Sequence, residues 1–185
     1  MITRTITGEF KTRDTENEEK IIEGYFSVFD KPYHIFKDAI ETVAHGAFDG
    51  ALDDDIRALT NHDTRLVLGR NKAGTLELRQ DEFGLWGCIH INPNDTDALN
   101  TYERVKRGDV SQCSFGFDIL DEDTEFLDDG SIHWTIKSVK LYEVSVVTFP
   151  AYEDTSVSTR AKQAEKLIEQ KKWQARMLTK LMGEN

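Results

Sequence analysis

Alternation of apolar and polar residues with a period of two is the feature that most restricts how this chain can fold. It marks residues 1–30, 64–91, 110–120 and 132–149. The turn-forming sequences NKAG and DEFG divide the second of these segments into a predicted meander, and the acidic segment 121–131 is predicted to be the turn between the last two. Such alternation places successive side chains on opposite faces of a β-strand. Many strands with few helices between them form curved or closed antiparallel sheets. The pattern therefore predicts an α+β, mainly β, fold: a single barrel-like antiparallel sheet with flanking helices.

In two segments, apolar residues recur at helical spacing instead of alternating with polar ones. The segment NPNDTDALNTYERVKRGDV has Asn94 or Asp95 as N-cap candidates and Gly108 just beyond its last turn. Its apolar residues share one face, which predicts a helix over residues 95–107 packed on the outside of the sheet. A shorter helix is predicted to follow Gly46, because the apolar residues after it recur at helical spacing.

Residues 160–185 differ in charge from the rest of the chain. They hold seven basic and three acidic residues, a net charge of +4, whereas residues 1–159 hold sixteen basic and thirty-one acidic residues, a net charge of −15. Apolar residues recur at helical spacing through the segment, which predicts one amphipathic C-terminal helix. We therefore divide the chain into a body, residues 1–159, and this helix, residues 160–185. Three roles are open to the helix: packing on its own body, docking on a partner, or linking to another protein.

Composition disfavours several classes of protein. Hydrophobic residues make up 38% and charged residues 31% of the chain, values that exclude wholesale disorder. The net charge of −11 disfavours binding to nucleic acid or to anionic membranes. No apolar run approaches the roughly 20 residues of a transmembrane helix and no signal peptide begins the sequence, so a soluble intracellular protein is expected. Cys88 and Cys113 form no CxxC pair and are predicted to be core residues rather than zinc ligands.

The segment GDVSQCSFGFD carries a candidate nucleophile. Alternation puts Ser114 on the strand face opposite to Phe115 and Phe117. We expect the Ser114 hydroxyl to face solvent beside Gly116, where it is either a nucleophile or an ordinary surface serine. Ser111 is a second hydroxyl nearby, but alternation puts it on the Phe115 face.

A nucleophilic serine needs a base, since its hydroxyl is poorly ionised near neutral pH. Among the five histidines, His62 in LTNHDTRLVLG is the best candidate, because it lies in a polar turn at the start of a strand. A turn histidine without a catalytic role is the alternative. The other four are expected to be structural or exposed: His34, His45, His90 and His133.

The run LYEVSVVTFPA contains a single acid, Glu143, among apolar and β-branched residues. A carboxylate in such a strand is costly to bury unless it is paired or hydrogen-bonded. Its partner is either an imidazole N–H, which would suit a catalytic site, or a lysine or arginine in a structural ion pair.

Four segments occur in a fixed order along the chain: ETVAHGAFDGAL, LTNHDTRLVLG, RGDVSQCSFGFD and LYEVSVVTFPAYEDTSV. Together they resemble the prohead maturation serine proteases of tailed bacteriophages, a family similar in fold to the herpesvirus capsid protease assemblin. The resemblance implies that Ser114 in SFGF is the nucleophile and His62 in NHD the general base. It implies that Glu143 is the third member, which orients His62 and stabilises its charged form. Oxyanion-hole donors are expected around residues 151–160.

The resemblance also implies a function. A protein of this kind is a serine endopeptidase that cleaves scaffold and capsid proteins, and its own chain, inside the assembling procapsid in the host cytoplasm. It needs no cofactor and no metal. Separately, its basic charge and apolar stripe predict that the C-terminal helix delivers the chain to those partners and is dispensable for peptide-bond cleavage.

Two other classes of function compete with the protease. A non-catalytic scaffold or capsid-assembly module would organise partners by charge, but it has no use for Ser114, His62 and Glu143. A metal hydrolase is disfavoured, because the sequence has no HExxH motif or other close spacing of metal ligands.

Overall fold

The computed structural model describes residues 1–7, 10–14, 19–36, 38–128, 130–149 and 154–182. These residues form a mainly β fold with two α-helices and two single-turn 3-10 helices, at Ala51–Asp53 and Asn71–Ala73. The strands are β1 (Ile2–Thr7), β2 (Lys11–Asp14), β3 (Lys20–Val28), β4 (Tyr33–Phe36), β5 (Ala39–Val43), β6 (Arg57–Thr60), β7 (Asp63–Arg70), β8 (Leu76–Gln80), β9 (Gly84–His90), β10 (Gln112–Phe126) and β11 (Ile132–Val147). The helices are α1 (Thr96–Arg107) and α2 (Asp154–Met182).

A seven-stranded sheet is built around the long antiparallel hairpin of β10 and β11. β1 pairs antiparallel with the other edge of β10. The remaining edge of β11 is shared, because β5 pairs in parallel with its first part and β6 in parallel with its last part. β4 and β7 complete the sheet by pairing with β5 and β6. The strands β6, β11, β10 and β1 therefore lie side by side at one end of the sheet.

A second, four-stranded sheet has the antiparallel order β2-β3-β9-β8. Its buried residues Phe26 and Leu85 share one hydrophobic core with Phe115, Phe117 and Val144 of the larger sheet. Burial of large apolar side chains supplies most of the favourable free energy of folding. Because alternate β10 side chains point into this core, the intervening ones point to the opposite face of the strand.

The helix predicted over residues 95–107 is confirmed as α1. The Asp95 carboxylate accepts hydrogen bonds from the backbone N–H groups of Asp97 and Ala98, which caps the first turn. Gly108 ends the helix in the left-handed conformation, with φ of 86°. The buried face, which includes Tyr102, packs against strands of both sheets.

The predicted single antiparallel sheet is wrong in two respects. Two sheets are present, and β11 pairs in parallel with both β5 and β6. The expected meander over residues 64–91 is divided, since β7 joins the larger sheet and only β8 and β9 form a hairpin. Alternation shows which face of a strand is buried but does not identify its partner. Within the described ranges the pairings do not close a barrel, so closure stays a prediction.

Two local predictions are also corrected. The residues after Gly46 form turns and the short 3-10 helix instead of an α-helix. Gly46 and Gly50 both have positive φ, a conformation that interrupts helical geometry. The acidic segment 121–131, expected to be a turn, continues β10 as far as Phe126 before the chain reverses.

The C-terminal helix α2 begins at Asp154, ahead of the expected start at Arg160. Ala164 is buried against Ala39 and Ile132 of the larger sheet, so the first part of the helix packs on its own body. Residues 169–178 are exposed. No helix in the part of the chain described here is long and apolar enough to span a membrane.

A cluster of buried charges joins β1 and α2 to the larger sheet. Glu41 of β5 accepts hydrogen bonds from Arg4 of β1 and, at 2.8 Å, from Arg160 of α2. Arg160 also donates to Glu122 of β10 at 2.6 Å, and its guanidinium lies 4.7 Å from the centre of the Trp134 ring. Arg4, Glu41 and Arg160 are at most 6% exposed. Because a buried charge is very costly without its partner, the cluster holds both elements against the sheet.

Candidate active site

The turn that joins β6 to β7 carries His62. Asn61 and His62 form a two-residue turn with φ of 51° and 58°, the left-handed conformation that tight hairpins require. Such backbone geometry is unfavourable for histidine and persists only where neighbours hold it. The Asn61 amide donates to the Val146 carbonyl at 2.9 Å, and the Asn61 side chain accepts from the Thr148 amide at 2.8 Å. These bonds place the His62 ring beside β11.

His62 forms a hydrogen-bonded pair with Glu143. The distance from His62 Nδ1 to Glu143 Oε1 is 2.8 Å, and the two side chains are 14% and 4% exposed. An ionised carboxylate only accepts hydrogen bonds, so Nδ1 carries the proton in this pair. Glu143 therefore has an imidazole as its partner, the first of the two partners considered in the sequence analysis. The second, a lysine or arginine, is not seen beside Glu143 in the described part of the chain.

The second ring nitrogen of His62 has no hydrogen-bond partner among the described residues, although it is buried. Buried polar atoms are nearly always satisfied, and an exception calls for an explanation. With the proton on Nδ1, a neutral His62 has a free lone pair on Nε2. That lone pair can accept a hydrogen bond or a proton.

Asp63 of the NHD motif does not orient His62. Its carboxylate binds the Arg65 side chain at 2.7 Å instead. Hydrogen bonds from the Arg65 side chain and amide lower the pKa of Asp63 to about 2. The acid that contacts the histidine thus comes from β11, far away in sequence, rather than from the adjacent position.

Ser114 lies in β10, directly across the strand pair from Ser145. Facing residues of an antiparallel pair share one side of the sheet, so Ser114 is on the side that carries Glu143 and His62. Its hydroxyl donates to the backbone carbonyl of Arg4 at 2.8 Å. The structure therefore brings all three predicted residues to one region, with the Ser114 proton directed to β1 rather than to His62.

The expectation that Ser114 faces solvent is wrong, because its exposed fraction is 0%. The face of β10 opposite the aromatic core is therefore closed to solvent at Ser114, which alternation alone does not reveal. The aromatic side of the strand is as predicted, with Cys113, Phe115 and Phe117 in the core. Ser111 precedes β10 and is exposed.

Ser145 is a residue of this region that the sequence analysis missed. It is 0% exposed, and its hydroxyl donates to Glu143 Oε2 at 2.5 Å. The same hydroxyl oxygen accepts the His62 backbone N–H at 3.3 Å. Its position two residues after Glu143 on a strand places both side chains on one face, and this spacing is a signal that could have identified it.

Gly116 provides the space that the Glu143 carboxylate occupies. The two residues face each other across the β10–β11 pair. A Cβ atom at position 116 would lie 2.3 Å from Glu143 Oε1, far inside van der Waals contact. The absence of a side chain here therefore lets the carboxylate reach His62.

The other histidines lie away from Ser114. His133 binds Thr42, His45 pairs with Asp30, and His34 is an exposed residue of β4. His90 binds two carboxylates on the second sheet. No group of three or more potential metal ligands occurs within the described residues. Of the segment expected to supply oxyanion donors, residues 151–153 lie outside the described residues and 154–160 begin α2.

A sequence model of the caudovirus prohead serine protease family matches residues 8–170. The chain belongs to this family. Among its curated relatives, the prohead protease of Enterobacteria phage HK97 is 29% identical over 147 residues, which is 77% of this chain and 61% of the relative. The prohead protease of Escherichia phage T5 is 32% identical over 98 residues, 53% of this chain and 42% of the relative. The chain thus spans only part of the length of these prohead proteases.

The fold of this family member is similar to that of the capsid assembly protease of bacteriophage T4. The TM-score is 0.52, and the match covers 79% of this chain and 96% of that one. Sequence identity over the match is 10%, so the likeness concerns the fold alone.

Proposed function

We propose that this chain is a serine endopeptidase in which Ser114 is the nucleophile, His62 the general base and Glu143 the residue that orients His62. One observation carries the proposal: a histidine with one nitrogen bound to a buried carboxylate and the other buried without a partner, in the region that holds the SFGF serine. This is the arrangement that a general base requires before a hydroxyl is presented to it.

The proposed reaction begins at Ser114. The Ser114 side chain rotates from the Arg4 carbonyl toward His62, which is an ordinary change between staggered rotamers. His62 Nε2 takes the hydroxyl proton while Oγ attacks the peptide carbonyl carbon. Glu143 stabilises the resulting imidazolium through the Nδ1–H bond. His62 next protonates the leaving amine as the C–N bond breaks. Water then attacks the acyl-enzyme while His62 accepts its proton, and His62 returns that proton to Ser114 Oγ as the carboxylic acid product is released. Backbone N–H groups near residues 151–160 are proposed to bind the oxyanion.

We further propose that the substrates are scaffold and capsid proteins of an assembling procapsid, together with the chain itself, within the host cytoplasm. Family membership and the fold of the T4 capsid assembly protease support this assignment. Neither a cofactor nor a metal takes part in the proposed mechanism. The strongly acidic body is suited to protein substrates rather than to nucleic acid.

The C-terminal helix, residues 160–185 of the proposed division, is assigned the delivery of the enzyme to these partners. Its exposed part presents three large apolar side chains at helical spacing: Trp173, Met177 and Leu178. Basic residues outnumber acidic ones in this segment, a pattern that suits docking on an acidic helical partner.

The proposal is tested by replacing the predicted nucleophile and base. Ser114→Ala and His62→Ala are each expected to lower kcat/KM on a capsid or scaffold substrate by about a thousandfold or more, since each removes a group that acts in the transition state. Glu143→Gln is expected to be less severe, because the carboxamide occupies the same space but does not stabilise the imidazolium. Ser111→Ala, which removes the exposed hydroxyl, serves as the matched control.

Near-native cleavage by Ser114→Ala would refute the assignment of the nucleophile. A purified wild-type protein that cleaves neither substrate nor its own chain would favour the non-catalytic assembly module instead.

A further inference from the structure

The Ser145 hydroxyl contacts both members of the His62–Glu143 pair. It donates to Glu143 Oε2 at 2.5 Å and accepts the His62 backbone N–H at 3.3 Å. The residue is fully buried in β11. A single oxygen atom therefore joins the carboxylate to the backbone of the turn that carries the ring.

The first of these contacts fixes the orientation of the carboxylate. Glu143 is almost completely buried, and its Oε1 atom is used by His62. Without the Ser145 hydroxyl, Oε2 would lose its donor in a region of low dielectric, where an unsatisfied charged oxygen is costly. The carboxylate would then rotate toward another donor, which weakens its bond to His62 Nδ1.

The second contact holds the His62 backbone against β11. His62 has a positive φ, which is unfavourable for a residue with a side chain, so its turn depends on bonds to β11. The Ser145 oxygen supplies the acceptor for the His62 amide itself, next to the acceptor that Val146 provides for Asn61. Loss of the hydroxyl leaves that amide without its acceptor.

We propose that Ser145 is a positioning residue. Its hydroxyl fixes the Glu143 carboxylate and the His62 backbone relative to each other, so that His62 acts as an efficient base. The inference rests on the proposed function of the triad. Ser145 is not assigned as the nucleophile, because its proton is directed to a carboxylate oxygen and its oxygen is occupied by the His62 amide. Ser145 acts through His62 and Glu143 and does not touch the substrate.

The test compares a substitution that removes the hydroxyl with one that keeps it, each in the otherwise wild-type chain. Ser145→Ala removes the hydroxyl and leaves space, whereas Ser145→Thr keeps the hydroxyl and adds a methyl group to a fully buried site. We expect Ser145→Ala to lower kcat by about tenfold with KM unchanged, and Ser145→Thr to retain most of the wild-type kcat. A purely packing role predicts the reverse order, because overfilling a buried site is the more damaging change. That order would overturn the proposal.

Controls separate this proposal from the proposed function. Ser138→Ala removes a half-buried hydroxyl elsewhere on β11 and is expected to leave kcat unchanged. Ser114→Ala sets the background rate. If Ser145→Ala abolished cleavage while Ser114→Ala did not, the nucleophile would be Ser145 and both proposals would fail. If Ser114→Ala abolished cleavage and Ser145→Ala had no effect, only the positioning role would fail.

A spectroscopic readout covers the case in which the threonine variant does not fold. The Nδ1 proton shared between His62 and Glu143 is expected to give a strongly deshielded proton resonance in the wild type. We expect Ser145→Ala to shift or broaden this resonance and Ser145→Cys, which keeps a weak donor, to have a smaller effect. An unchanged resonance in Ser145→Ala would overturn the proposal independently of activity.

Discussion

At the scale of single residues, Gly116 is the position where the smallest change should have the largest effect on the site. We predict that Gly116→Ala lowers kcat/KM by about a hundredfold or more, because its Cβ would lie 2.3 Å from Glu143 Oε1 and displace the carboxylate from His62. The backbone at Gly116 does not have a positive φ, so alanine is otherwise compatible with the strand. Peptide cleavage and thermal unfolding of the variant, measured together, distinguish the two effects. Normal activity in a folded Gly116→Ala protein would contradict this account of the site.

Local sequence signals explain why some residues of the site could be predicted and others could not. The carboxylate of Glu143 in an apolar strand had to have a partner, but its chemistry left both an imidazole and a lysine or arginine open, and only the family resemblance pointed to His62. The Ser114 contact was not predictable, because its acceptor is a backbone carbonyl of Arg4, 110 residues away. Ser145 was within reach of prediction from its spacing to Glu143, but nothing in the sequence indicated that its hydroxyl would also bind His62.

At the scale of elements, the ends of α1 could be predicted from the sequence, whereas the pairing of β6 could not. The ends of α1 were predictable because Asp95 and Gly108 act on neighbouring backbone groups. The parallel pairing of β6 with the end of β11 depends on which sheet edge is free after β5 has paired, a property of the assembled sheet. This pairing brings together His62 and Glu143, which are 81 residues apart in the chain.

The edge of the second sheet contains a titratable contact with a defined pH dependence. His90 of β9 binds Glu19 at 2.6 Å and Glu77 of β8 at 3.0 Å. Partial burial opposes the charge on the ring, but the hydrogen bonds to the two carboxylates outweigh it and raise the pKa of His90. The charged ring is therefore favoured by the folded state. Its stabilising effect is fully present below the ordinary pKa of 6.5 and is lost as the pH rises through the raised value.

We predict that the difference in free energy of unfolding between the wild type and His90→Gln becomes smaller as the pH is raised from about 5 to about 9. Denaturant unfolding at a series of pH values measures it. A difference that is constant across this range would show that the two carboxylates do not sense the charge on His90.

At the scale of the whole molecule, the first part of α2 packs on the body of the chain. A chain that ends at Thr159 lacks Arg160, so the buried carboxylate of Glu41 and the partly buried carboxylate of Glu122 lose a guanidinium. We predict that this loss lowers the free energy of unfolding by about 3–5 kcal/mol, whereas a chain that ends at Lys172 keeps the contacts and the wild-type stability.

We also predict that the Lys172 truncation cleaves a short peptide normally but is not incorporated into procapsids, since it lacks the exposed apolar residues.

Two results would contradict this division of the helix. Equal stability of the two truncations in chemical denaturation would show that the buried charges do not hold α2 to the body. Normal incorporation of the chain that ends at Lys172 would remove the delivery role from the last part of the helix.

The stacking of Arg160 on Trp134 also gives the molecule an internal fluorescent reporter. Trp134 is completely buried, so withdrawal of the helix would admit water to its indole ring and move its emission to longer wavelength. Trp86 lies under Arg79 in the second sheet, with 3.9 Å from the guanidinium to the ring centre, and should keep its emission. The exposed Trp173 is already in water and can be replaced by phenylalanine. Emission from Trp134 then follows in real time whether the first part of α2 remains docked on the body.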